Sequence, residues 1–132
     1  MKRSLLFVVS LFAITLFSYG PLMAQLPGQA PDDQNCDFPV YSSKALDRKT
    51  KILDKPGPDF SSRERREHGG QSVGLTALFC GSGKVVQIKV KTPVSDTVDA
   101  KAIEAAKVIR FVPAEKDGNK VSQALLLFYR VQ

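Results

Sequence analysis

Two runs with a period of two, separated by little more than Gly81-Ser82-Gly83, constrain this chain more than any other feature of its sequence. Val73, Leu75, Ala77 and Phe79 share one face of the first run, and Val86, Ile88 and Val90 alternate with Gln87, Lys89 and Lys91 in the second. Strand side chains point alternately to the two faces of a sheet, so the pair reads as a β-hairpin with its lysines in water and its aliphatics on a core. Residues 121–131 make a third run, apolar on both faces: Val121, Leu125, Leu127, Tyr129 and Val131 on one, Ala124, Leu126 and Phe128 on the other. Covering both faces of such a strand takes a second layer or a partner.

Elsewhere the period changes. Ala102, Ile103, Ala106 and Ile109 recur at helical spacing, with Asp99 as the expected N-cap. The small alanines let a helix lie close on a sheet. A short charged helix is expected over Ser61 to Glu67, capped by Ser61 or Ser62 and stopped by Gly69-Gly70. Ala45 to Leu53 alternates weakly as a first strand, Pro56-Gly57-Pro58 forces a turn, and Lys116-Asp117-Gly118-Asn119 supplies turn residues before the last strand. The fold class is therefore α+β.

The N-terminus bears on the compartment. Lys2 and Arg3 precede an almost wholly apolar stretch from Leu5 to Phe17, and Leu22-Met23-Ala24 offers a cleavage point before Gln25. Residues 1–24 thus have the layout of a secretory signal peptide. The stretch is short for a membrane span, which takes about 20 apolar residues. Leu22 is larger than the residue preferred two places before a cleavage site, so an uncleaved membrane anchor is the alternative. Residues 25–44 hold Pro27, Pro31 and Pro39 without periodicity and read as an extended lead-in. Residues 45–132 are enough for one domain. The expected location is periplasmic, or inner-membrane anchored facing the periplasm if the signal stays.

Both cysteines, Cys36 and Cys80, lie in the part expected to be exported, where thiols can be oxidised. A bridge between them is worth up to roughly 4 kcal/mol on the chain-entropy model. A buried free thiol at Cys80 is the other reading. The formal charge of +6 falls by two when Lys2 and Arg3 leave, which is a mild basic excess. Only Arg63, Arg65 and Arg66 cluster, and Glu64 and Glu67 interleave them, with no aromatic residues between to stack on bases. No nucleic-acid partner is expected.

Catalytic patterns fail in turn. Gly81-Ser82-Gly83-Lys84 looks like half a phosphate loop, but Leu78 and Val85 occupy positions where the pattern needs glycine and Ser or Thr. His68 is the only histidine, and with two cysteines it lacks ligand spacing for zinc. A Cys80–His68 nucleophile pair has no third group to orient it. No enzyme activity, cofactor or metal is expected.

The order of these pieces resembles the C-terminal domain of TonB, the energy transducer of bacterial outer-membrane transport. The matching residues begin with Lys55-Pro56-Gly57-Pro58-Asp59-Phe60, Arg63, Gly70 and Gly81-Ser82-Gly83-Lys84-Val85. They continue with Ala102-Ile103-Glu104-Ala105-Ala106, Arg110-Phe111-Val112-Pro113-Ala114 and Asp117-Gly118-Asn119-Lys120-Val121, so that the resemblance covers about Ala45 to Val131. It implies two helices on one side of a small antiparallel sheet. It also implies β-strand addition, in which a receptor segment pairs with an exposed sheet edge. That role falls here on residues 121–131, with Val121, Gln123, Leu125, Leu127 and Tyr129 as partner-binding positions, and on Gly57 and Phe60 in the turn beside the same groove.

The chain departs from the transducer in three places. Its N-terminal segment lacks the histidine that couples to a proton-driven motor, its lead-in is short where the transducer has a long Pro-rich spacer, and Gly57 stands where the transducer has a partner-contacting glutamine. The resemblance therefore implies a protein-binding module, acting as an adaptor or competitor, with an anchored transducer component as the alternative. A TonB-dependent outer-membrane receptor and a second copy of the chain are the expected partner types.

Overall fold

The hairpin read from the sequence is the centre of the structure, a computed structural model that describes residues 35–132. The signal-peptide segment and residues 25–34 of the lead-in lie outside the described residues. In chain order the elements are β1 (Lys51–Asp54), α1 (Ser62–His68), β2 (Ser72–Phe79), β3 (Val85–Thr92), α2 (Asp96–Lys107), β4 (Arg110–Val112), β5 (Ala114–Lys116), β6 (Asn119–Val121) and β7 (Gln123–Arg130). The main sheet is antiparallel with the order β3-β2-β7, and two small pairs, β1-β4 and β5-β6, flank it. This is an α+β fold.

Alternation decides what each face of the sheet meets. Val73, Leu75 and Phe79 of β2 and Leu127 and Tyr129 of β7 are buried in one cluster with Val98, Ala102, Ala105 and Ala106 of α2. Phe60, from the turn before α1, joins the same cluster, and Phe111 meets Phe79 edge-on with ring centroids 4.8 Å apart. The opposite face carries Leu78, Cys80 and Val86, packed under Cys36 and Phe38 of the lead-in. Cys36 and Cys80 are joined by a disulfide. Gly81 is where the lead-in comes closest: a Cβ there would stand 2.5 Å from Phe38 Cδ1, so no larger residue fits under the ring.

Four expectations about extent and register change. Val86 does not share a face with Ile88 and Val90, because the β2–β3 register shifts between Thr76 and Leu78 at a bulge where Gln87 has φ 50°. The N-cap of α2 is Ser95, whose Oγ accepts the Val98 N–H at 3.4 Å; Asp99 sits inside the first turn and accepts the Val94 N–H at 2.9 Å. The first strand is only Lys51–Asp54, since Asp47 and Arg48 direct their backbone N–H groups to the Glu115 carbonyl. The last run is broken at Ser122. Val121 pairs with Ala114 in β5-β6, while Ser122 donates its N–H to Pro39 and accepts from Tyr41. Among the described residues no helix is long and apolar enough to cross a membrane.

Candidate protein-binding edge

β7 is paired along its whole length with β2 on one side, without a register shift. No strand pairs with its other side among the described residues. Three contacts show which backbone groups face that open side. Val131 donates its N–H to Gln71 O, on the β2 side, at 2.9 Å. Ser122 turns its N–H and C=O away from β2, to Pro39 and Tyr41. Phe128 O accepts Lys55 Nζ at 2.7 Å. Backbone groups of a strand alternate in direction with a period of two, so Ala124, Leu126 and Phe128 present their N–H and C=O to the open edge.

The same alternation places the side chains. Leu127 and Tyr129 are buried and Leu125 half-buried on the helix side, whereas Leu126 and Phe128 remain 55% and 52% exposed on the other. Gly74 opposite Phe128 gives the ring its place, since a Cβ there would come within 3.1 Å of Phe128 Cε1. Gln123 is buried, and its amide is engaged internally: Oε1 accepts the Thr50 N–H at 2.9 Å and Nε2 donates to Ser43 Oγ at 2.8 Å. Val121 is buried in the β5-β6 pair. Of the partner-binding positions read from the sequence, Val121, Gln123, Leu125 and Leu127 thus turn their side chains inward. What the strand offers outward is backbone, with Leu126 and Phe128 beside it.

Gly57, Phe60 and Tyr129 come together where the turn before α1 passes the end of β7. Together with Lys55, Phe128 and Arg130 they line an open cleft of about 490 Å³. Gly57 has open space where a side chain would stand. Phe60 closes the floor as part of the core, held by the Arg65 guanidinium, which donates to the Phe60 carbonyl. Lys55 Nζ lies 4.5 Å from the centroid of the Tyr129 ring, a cation–π contact. Among the described residues the buried Tyr129 hydroxyl has no hydrogen-bond partner, and burial pushes its pKa above the usual phenol value. Lys55, Leu126 and Phe128, which also line the edge or the cleft, are not among the partner-binding positions read from the sequence. Leu126 carried a signal, as part of the second apolar face of its strand, but nothing in the sequence connects Lys55 to Phe128.

The edge and the cleft combine, among the described residues, strand backbone that no other strand pairs with, exposed apolar side chains and two cations. Among the described residues no group of three or more His, Cys, Asp or Glu side chains is placed to hold a metal ion. No protein-family model matches the chain, and no curated protein matches it. Among solved structures, the chain is similar to the solution NMR structure of the Pseudomonas aeruginosa TonB C-terminal domain, at 19% identity and a TM-score of 0.49. That match covers 70% of this chain and 94% of the other.

Proposed function

We propose that this chain is an exported protein-binding module that captures an extended segment of a partner protein by β-strand addition along the open edge of β7. The observation that carries the reading is the edge itself: Ala124, Leu126 and Phe128 face away from β2 with their backbone groups, and two exposed apolar side chains flank them. An edge of this kind is a template for another strand unless something covers it. The sequence resemblance to the TonB C-terminal domain supports the same strand and the same Gly57–Phe60 turn, and points to a binding rather than a catalytic role. A segment of an outer-membrane receptor is the partner this resemblance favours.

The test is capture from periplasmic and outer-membrane extracts by the wild-type chain and by Leu126→Pro, which removes one outward N–H. Proteins retained by the wild type and lost with the folded variant are edge-dependent partners. If the two capture the same proteins equally well, strand addition at β7 is wrong. The alternative, an anchored transducer component, is favoured by the large Leu22 at the cleavage point. Mass determination of the mature protein separates the two, because an N-terminus at Gln25 excludes the anchor.

A further inference from the structure

Lys55 is an unusual neighbour for an open strand. It is exposed, yet its ammonium holds the Phe128 carbonyl at 2.7 Å and lies over the Tyr129 ring. A strand adding to β7 would need that carbonyl, so Lys55 must first let go of it. We propose that Lys55 is a displaceable guard of the β7 edge, and that it selects as occupant an extended peptide segment carrying a carboxylate beside Phe128. This rests on β7 being the docking edge and adds the chemistry of what docks there.

Charge complementarity identifies the occupant. Among the described residues the cleft is lined by two cations, Lys55 and Arg130, and by no acidic side chain. Neither cation is in an ion pair among the described residues. Of the acids close by, Asp54 faces Arg110 at 3.5 Å, Glu64 holds Lys101 at 2.7 Å, and Asp59 lines a separate pocket on the α2 side of the turn. An ammonium pushed off that carbonyl meets no acidic side chain in the cleft, so an incoming strand that brings an acceptor gives it a new partner. A carboxylate is the strongest acceptor available, because hydrogen bonds between ionised partners are shorter and stronger than neutral ones. Until such a strand arrives, the lysine blocks one outward carbonyl and puts a charge on the edge, which is how sheets avoid pairing with copies of themselves.

The experiment titrates the full ¹⁵N-labelled chain with two synthetic peptides of alternating valine and threonine, identical except for a central glutamate or glutamine. The expected result is that the glutamate peptide binds about three- to tenfold more tightly, in keeping with exposed charge-assisted pairs. The preference should decline as salt is raised. In Lys55→Met, which keeps an unbranched side chain beside Tyr129, the ratio should fall to about one, with the glutamine peptide binding no worse than to the wild type. Lys107→Met, an equal change of net charge on α2, should keep the preference. Equal affinity of the two peptides for the wild type, or an undiminished preference in Lys55→Met, overturns the guard. If neither peptide moves the amide resonances of Ala124, Leu126 and Phe128, the docking edge itself is overturned along with it.

Discussion

Glu64 Oε2 meets Lys101 Nζ at 2.7 Å and, at 2.6 Å, accepts the backbone N–H of Ser61. One carboxylate thereby joins three things: the capping box that starts α1, the body of α2, and the end of the turn that carries Gly57 and Phe60 to the cleft. The hydrogen bond from Lys101, and after it the one from the Ser61 backbone, lowers the Glu64 pKa from 4.5 to about 2. A carboxylate whose pKa is depressed by folding stabilises the fold fully above its unfolded value, and that contribution is lost as pH falls through the folded one. The melting-temperature gap between the wild type and Glu64→Gln should therefore be largest at neutral pH. It should shrink below about pH 4.5 and close near pH 2. A gap that stays constant across this range would show that Glu64 acts through packing rather than charge.

Tyr129 gives a test in which stability and binding move in opposite directions. Its buried hydroxyl lacks a partner among the described residues, and leaving such a group unsatisfied costs on the order of 1–3 kcal/mol. Tyr129→Phe should thus melt at the same temperature or a few degrees higher, a gain of up to about 1 kcal/mol. If an incoming strand uses the hydroxyl, the same variant should bind a captured partner several-fold more weakly. A clear loss of stability would mean that the hydroxyl is satisfied in solution.

The Cys36–Cys80 disulfide closes a loop with a sequence separation of 44 and fastens the lead-in across the face of the sheet that the helices leave open. Reducing it should lower stability by up to roughly 4 kcal/mol on the chain-entropy model. The backbone bonds Ser122 N to Pro39 O and Tyr41 N to Ser122 O depend on the lead-in staying in place, so their amides should lose protection from hydrogen exchange when the bridge is cut. Thiol labelling of the unfolded, unreduced protein checks the premise, since two reactive thiols would mean that the bridge does not form.

The hairpin, the two helices and the apolar character of β7 on both faces were legible because each is written in the spacing of side chains along one segment. The cap of α1 was legible to within one residue, Ser61 or Ser62, for the same reason: the residue that Ser61 serves, Glu64, is three places on. What escaped depends on partners far along the chain. The bulge at Gln87 turns Val86 to the other face, where Leu78, Cys80 and the distant Cys36 and Phe38 receive it. The break at Ser122 exists because Pro39 and Tyr41 take its backbone. At the candidate edge the strand was legible but its direction was not. Alternation separates two faces without saying which is the core, and only the position of α2 puts Leu127 inside and Leu126 outside. Ser95, a better-placed cap than Asp99, was within reach of local pattern, but the alanines drew the start of α2 a turn too late.

The direction of the β7 backbone makes a sharp prediction about proline. Proline removes an N–H, which is tolerated where the group points away from the sheet and disruptive where it completes a ladder. Val131 directs its N–H to Gln71 on the β2 side, while Ser122 and Phe128 use their backbone groups on the open side, so the odd positions of β7 face inward and the even ones outward. Ala124→Pro and Leu126→Pro should therefore melt cooperatively, within a few degrees of the wild type, and lose most of their affinity for a captured partner segment. Gln123→Pro and Leu125→Pro should unfold the domain or lower its melting temperature severely, because each breaks the pairing with β2. Circular dichroism melts separate the classes, and titration of the folded ones gives the binding. If Ala124→Pro and Leu126→Pro both fold and both bind the partner with wild-type affinity, the open edge of β7 is not where the partner sits, whatever the apolar side chains around it suggest.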